Sequence, residues 1–287
     1  MALLWKRKIE AVIGQAGAEG IKISGLRMSF RCEKNSEPKA NPSQLKIYNL
    51  SENTRQQLRA EIKNQKVIVS VAYGDQELGV LFSGDVAKVI TEKSGGDIIT
   101  TFETGDGEKA INEARIDKSY SAGTNMKTVV EDVANTMKDQ AGVIVGNIKN
   151  TVKDEVTQNG FTISGVSSAI LSSISARQGK EWHIQDNELL YLSPTESFDA
   201  SDLDAIVLSP STGLIGQPKK AEVGEKGSEV SGWELKALIQ KDIKPAKLIK
   251  LIVPSMKIED LVRVRKAVFE GDTHAQNWYA TIQGVIL

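Results

Sequence analysis

The chain has 287 residues, 25% of them charged and 40% hydrophobic, with a formal net charge of -1. This composition fits an ordinary globular protein of one to three domains with real cores. It argues against a nucleic-acid binder driven by phosphate contacts, which carries a basic excess. The basic clusters at Lys6-Arg7-Lys8, at Lys219-Lys220 and from Lys241 to Lys250 all have acidic neighbours and read as solvated surface. One cysteine, Cys32, leaves no intrachain disulfide, and its apolar-alternating surroundings suggest a half-buried structural thiol. With two histidines beside it, a zinc site built on Cys and His is not expected. The opening MALLWKRKIE puts a short apolar run before its charges, the reverse of a signal peptide. No segment approaches the roughly 18 apolar residues of a membrane helix. A protein made and kept in a cytoplasm, or assembled from one, is expected.

Residues 8 to 110 read mostly as strands. KIEAVIG is followed by IKISGLRMSFRCEK, where Leu26, Met28 and Phe30 alternate and Gly25 breaks the phase as a bulge would. EPKANPS is a loop, QLKIYNL a strand, and SENTRQQLRAEIKN a short helix with Ser51 as N-cap and Leu58 and Ile62 on one face. KVIVSVAYG is a strand. LGVLFSGDVAKVITEKSGGDIITTFETGDG is a strand pair joined at Ser94-Gly95-Gly96-Asp97. So many strands with one helix suggest a small closed or nearly closed barrel over residues 1–110.

Residues 111–200 change character. TNMKTVVEDVANTMKD places Met126, Val129, Val130, Val133 and Met137 on one helical stripe. VGNIKNTVKDEV reads as either a broken helix or a linker. FTISGVSSAILSSISARQG is a second helical segment, with Val166, Ile170 and Ile174 spaced by four. EWHIQDNELLYLSP is a hairpin turning at Gln185-Asp186-Asn187, with Trp182 and Ile184 on one face. Together these make a small α+β insert. Residues 201–287 return to strands: DAIVLS, GLIGQPKKAE, GWELKALI, KLIKLIVP, EDLVRVRKAVFEGD and NWYATIQGVIL. Pro218, Pro245 and Pro254 fall between strands or at their ends, and KGSEVSG is a flexible tip. The expected plan is mainly β with an α+β insert: a barrel at 1–110, a helix-plus-hairpin insert at 111–200, and a second barrel at 201–287.

No arrangement of catalytic residues stands out. EDLVRVRKAVFE alternates Val262, Val264 and Val268 against Arg263, Arg265 and Phe269, and NWYATIQG alternates after it. The histidine of GDTHAQ, His274, therefore sits in a hairpin loop. Asp272 is placed to orient it, but the loop supplies no nucleophile. His183 lies on a strand and reads as solvent-facing or packed. Glu131 and Asp132 fall on a helix's outer face. Asp199, Asp202 and Asp204 lack the glycine and distal glutamate of a calcium loop and read as a solvated linker. GDGEKA lacks the spacing of a phosphate loop and reads as a turn closing the first barrel, and no G-x-S-x-G occurs. Arg263 and Arg265 read as a solvated strand face, or as charge projected into a channel if that strand lines one. No catalytic, cofactor-binding or metal-binding residue is assigned, and no cofactor.

The ordered set of segments resembles the baseplate hub proteins of contractile-tailed bacteriophages, the family of the Mu-like and T-even hubs. The resemblance lies in QLKIYNLSENTRQQL, LFSGDVAKVITEKSGGDIITTFETGDGEKAI, ISGVSSAILSSISARQGKEWHIQDNELLYL, LSPSTGLIGQPKK, WELKALIQKDIKPAKLIKL and DLVRVRKAVFEGDTHAQNWYATIQG. These cover nearly the whole chain as patterns of hydrophobic and turn residues. The chain is short for that family, which implies a reduced peripheral subdomain.

The resemblance implies two tail-tube-like barrel domains and a structural role without enzymatic activity. It implies a homotrimeric ring that adapts a six-fold tail tube to a three-fold central spike, with the tube protein, the spike and other baseplate proteins as partners. DNA would pass through the lumen without specific binding, in a virion tail assembled in the host cytoplasm and holding no membrane anchor. Two other readings compete: a tail-associated peptidoglycan hydrolase, and a cell-wall-binding module that recognises sugar through Trp182 and Tyr191.

Overall fold

Period-two alternation in the first hundred residues becomes a set of strands whose inward positions are aliphatic or aromatic. The computed structural model describes residues 6–15, 20–60, 65–146, 148, 155–197, 205–224 and 230–287. Ile62, Asp199, Asp202 and Asp204, most of the 147–154 stretch and most of KGSEVSG lie outside them. The protein divides into two compact units, one made of Met1–Asn35, Pro42–Gly105 and Ser197–Leu287, the other of Ser36–Asn41 and Asp106–Glu196.

The first unit opens with β1 (Arg7–Gln15), β2 (Ile21–Ile23), β3 (Met28–Asn35) and β4 (Asn41–Tyr48), then helix α1 (Glu52–Ala60). Next come β5 (Gln65–Tyr73), β6 (Gly79–Ser94) and β7 (Asp97–Asp106). Leu45 and Ile47 of β4 point inward and are fully buried, while Gln44, Lys46 and Tyr48 lie on the other face. Helix α1 starts as its sequence dictates: the Ser51 hydroxyl accepts the Thr54 N–H at 3.1 Å, and Leu58 buries its side chain. The β6–β7 hairpin turns where expected, with Ser94 opposite Asp97. Gly25, in contrast, does not make a bulge; it lies in a left-handed bend that separates β2 from β3.

The second unit holds α2 (Glu108–Asn112), β8 (Arg115–Tyr120), α3 (Met126–Ala141), β9 (Ile144–Val145), β10 (Phe161–Val166), α4 (Ser167–Gln178), β11 (Glu181–Gln185) and β12 (Glu188–Leu192). Helix α3 buries Val129, Val130, Val133 and Met137 as its periodicity demands. The Asn125 side chain caps its start by accepting the Lys127 N–H at 2.9 Å, and Gly142 closes it in the left-handed conformation. Two expectations change here. FTISGV forms a strand paired with β8, and the helix begins only at Ser167. Helix α4 is centred on fully buried Leu171 rather than on Ile170, which is only partly buried. β11 and β12 form the expected hairpin, and β9 joins β12 in parallel.

The polypeptide returns to the first unit with β13 (Ile206–Leu208), β14 (Lys219–Val223), β15 (Val230–Leu238) and β16 (Leu248–Val253). A single 3-10 turn at Pro254–Met256 leads into β17 (Ile258–Asp272) and β18 (Trp278–Ile286). Of GLIGQPKKAE only the last four residues are strand, in β14, which runs one residue further to Val223.

The strands of the first unit form one sheet of thirteen among the described residues, ordered β14-β15-β18-β17-β3-β4-β7-β6-β5-β1-β2, with β16 on β17 and β13 on β16. The sheet has free ends, and no small barrel closes among the described residues. The reason is β17. It is long enough to pair with β16 through Ile258–Arg263 and then with β3 through Lys266–Asp272, so it joins the two strand-rich segments into one ladder. A bulge between Val264 and Lys266 separates the two stretches. The extra residue also shifts the phase. Phe269 joins Val262 and Val264 as fully buried core, and Val268 turns to the opposite face, the reverse of simple alternation.

The core of this unit is anchored on Trp278. Its ring lies 5.6 Å edge-on to Phe30 and 6.5 Å from Tyr73, and its indole N–H donates to the Tyr73 hydroxyl at 3.0 Å. Burying that hydroxyl pushes the Tyr73 pKa up to about 12. Cys32 is fully buried.

Candidate functional site

The β17–β18 loop holds His274 where the sequence placed it, and its geometry is that of a staple. The Asp272 carboxylate accepts the His274 N–H at 2.8 Å and the Ala275 N–H at 3.2 Å, and pairs with Arg27 at 2.9 Å. Thr273 is bonded to the backbone of Met28, its N–H donating to the carbonyl and its hydroxyl accepting the N–H. Arg7 donates to the carbonyls of Ala275 and Gln276. Burial alone would raise the Asp272 carboxyl, but the Arg27 hydrogen bond, the His274 N–H and the Arg27 charge together hold it below the ordinary carboxylate range. His274 Nδ1 meets only its neighbour's hydroxyl, Thr273 Oγ1, at 2.9 Å among the contacts seen for its ring. Asp272 therefore orients backbone and binds Arg27, and no general-base arrangement is assembled here.

The β11–β12 tip is held differently. Asp186 and Asn187 both take positive φ, 52° and 68°, as a two-residue hairpin turn requires. Their N–H groups donate to the carboxylate of Asp106 at 2.5 and 2.9 Å, and the Asn41 amide donates to the Ile184 carbonyl at 3.0 Å. Gly107, at φ 71°, lets the backbone approach: a Cβ there would stand 2.7 Å from Ile184 Cδ1. GDGEKA is thus a clamp on a distant hairpin.

His183 is packed and fully buried on β11, between Trp182 and Ile184, which are also buried. The sugar-recognition reading fails on burial. Trp182 is 1% and Tyr191 0% exposed, the indole donating to Ser172 Oγ and the phenol to Gln178 Oε1. Neither ring has a face to offer a saccharide. Arg263 is not on a solvated face, since it is wholly buried, and it does not project into open space. Asp132 is engaged rather than free on α3, accepting from Lys118 Nζ at 2.6 Å and from the Tyr120 hydroxyl at 3.0 Å. Among the described residues no group of three or more His, Cys, Asp or Glu side chains gathers to hold a metal ion. Among them, too, no helix is long and apolar enough to cross a membrane.

Two surface features of the first unit were not read from the sequence. A cleft of about 460 Å³ is lined by Val71, Tyr73, Val207, Thr212, Ile239 and Lys241, among others, with exposed Leu78 and Val80 close by in sequence. Of its hydroxyls, that of Ser211 is bonded to Ser209 and that of Thr212 donates to the Val207 carbonyl, while Lys241 pairs with Asp242. Free strand edges are the other feature. β14 pairs only with β15, and β6 pairs with β5 only as far as Asp85, so the Val86–Ser94 half carries β7 on one side and no strand on the other among the described residues.

This fold is that of phage-tail structural proteins. A tail protein from Neisseria meningitidis MC58 superposes with a TM-score of 0.66 at 8% identity, over 98% of this chain and 96% of that one. The 43 kDa tail protein of prophage MuSo2 from Shewanella oneidensis gives 0.63 at 11% identity, over 96% and 97%. An E. coli component of the type VI secretion system, described as similar in structure to the T4 bacteriophage tail proteins gp27 and gp5, gives 0.63 at 9% identity, over 96% and 76%. No curated protein sequence matches this one. The baseplate hub gp41 family matches residues 10–256, and the chain belongs to that family.

Proposed function

We propose that the protein is the hub of a contractile tail baseplate, a homotrimeric ring that adapts a six-fold tail tube to a three-fold central spike and continues its DNA channel. One observation carries the reading. Eight strands run side by side from β14 to β6, and among the described residues this run ends in an unpaired edge on each side, β14 and the far half of β6. Exposed strand edges invite pairing. Two different edges on one protomer suit a head-to-tail contact, which closes into a ring when the rotation per copy is a whole fraction of a turn. Joining β14 of one copy to β6 of the next gives three copies one continuous wall. In this reading the strands of 1–110 and 201–287 are the two tube-like domains and 111–200 is the peripheral insert. The tail tube, the trimeric spike and other baseplate proteins are its partners, and DNA passes through unbound. The near-zero net charge suits a wall that DNA crosses without sticking. The family and the tail-protein fold support a structural role in the virion, with no catalysis of its own.

Light scattering after size exclusion tests it. A mass of three 31.2 kDa protomers is expected, with hollow rings by electron microscopy. Substituting Ala221→Pro on β14 should leave the protein folded and abolish the trimer. A protein that remains monomeric at every concentration, alone and with its spike, would sink the ring. Lysis of purified peptidoglycan by the isolated protein would favour the hydrolase instead.

A further inference from the structure

We infer that Asn159-Gly160 is a site of spontaneous modification, where the asparagine converts to aspartate and isoaspartate in the folded protein. It is the one Asn-Gly pair in the sequence. Both residues are exposed, in a bend between Thr157 and β10. The arch is tethered at both ends. Thr157 exchanges backbone hydrogen bonds with Gly123 and Thr124 at 2.8 and 2.9 Å, and Phe161 pairs with Tyr120. Between these tethers, among the described residues, no hydrogen bond holds the Asn159 side chain or the Gly160 N–H.

The chemistry needs only water. The Gly160 backbone nitrogen, unhindered by any Cβ, loses its proton and attacks Cγ of Asn159. A new C–N bond forms, the bond from Cγ to the amide nitrogen Nδ2 breaks, and ammonia leaves with the returned proton. The resulting succinimide is opened by water at either carbonyl. Opening at one gives aspartate; opening at the other gives isoaspartate, with one extra methylene in the main-chain path. Either product puts a negative charge where an amide stood. The isoaspartate also lengthens an arch whose two ends are fixed, straining the Phe161 end of β10, where Phe161 stacks on Tyr120 at 5.2 Å.

The molecule holds its own control. Asp106-Gly107 is the one Asp-Gly pair and is able to form the same succinimide, but its carboxylate is buried and bound to the Asp186 and Asn187 N–H groups. Folding therefore protects one pair and presents the other.

Incubating the full-length folded protein at mildly alkaline pH, then mapping peptides by mass spectrometry with an isoaspartate-specific methyltransferase label, tests this. Asn159 should convert first among the asparagines, giving both products and faster as pH rises, while Asp106 stays unchanged until the protein is unfolded in urea. Gly160→Ala should suppress the conversion. Because its Cβ would stand 3.1 Å from the Tyr120 carbonyl, Asn159→Gln, which leaves the backbone alone, serves as the second variant and should lose the signal at this position. Conversion at other asparagines ahead of Asn159, or an unchanged rate in a folded Gly160→Ala protein, overturns the assignment.

Discussion

Two hairpin tips, one in each unit, are both held by an aspartate that accepts two backbone N–H groups, yet the aspartates come from different places. In the β17–β18 loop the holder is Asp272, which sits at the start of the loop it organises. At the β11–β12 tip it is Asp106, eighty positions away from the residues it binds. The first tip is a local motif that folds on itself and is then pinned by Arg27 and Arg7. The second has its turn chemistry written locally, in Asp186 and Asn187, and its anchorage written elsewhere. A local holder keeps partial function if its outside contacts are cut. A remote holder is all or nothing, because without it two donors lose their acceptor together.

The sharpest test of that contrast is Asp106→Ala. It should cost about 2–3 kcal/mol in chemical denaturation, as expected when part-buried donors lose a charged acceptor. Asp272→Asn should cost less, about 1–2 kcal/mol, since the amide oxygen still accepts backbone N–H groups while the Arg27 pairing is weakened. It should also change the pH dependence. The Asp272 carboxyl is held low in the folded protein, so its contribution is present above the unfolded value, about 3.9, and is lost as pH falls through the folded one. The wild type should therefore lose more stability than Asp272→Asn below about pH 4. Arg7→Ala, which removes exposed contacts to two loop carbonyls, should cost about 0.5–1 kcal/mol by thermal unfolding. His274→Ala should fall within about 0.5 kcal/mol of wild type. A large effect there would mean the histidine carries a role its contacts do not reveal.

What the sequence made legible follows the same division between local and remote. The Ser51 cap, the α3 stripe, the Ser94–Asp97 hairpin and the His274 loop all depend on residues a few positions apart, and all were readable. The phase of β17 was not. One inserted residue near Arg265 exchanges the roles of Val268 and Phe269, and nothing in the composition of VRVRKAVFE marks it. The strand at Phe161–Val166 was hidden because its serine, glycine and threonine mimic the approach to a helix, and its partner β8, Arg115–Tyr120, lies far earlier in the sequence. The burial of Arg263 was likewise unreadable, since charge alone suggests solvent. The free edges of β14 and β6 emerge only when every pairing in the sheet is known.

The bulge in β17 makes this strand a splice between two fabrics. Before it, the strand is woven to β16; after it, to β3; β18 runs along both. Such a splice has no slack. Deleting Arg265 would only smooth the bulge, since Val262, Val264, Ala267 and Phe269 would then alternate without a break, but adding a second residue beside it would turn every side group downstream to the wrong face, sending Phe269 to the surface and Glu270 into the core. Length changes are commonly tolerated in loops, but here a single residue sets the parity of the strand. This position should accept many substitutions but no further insertion.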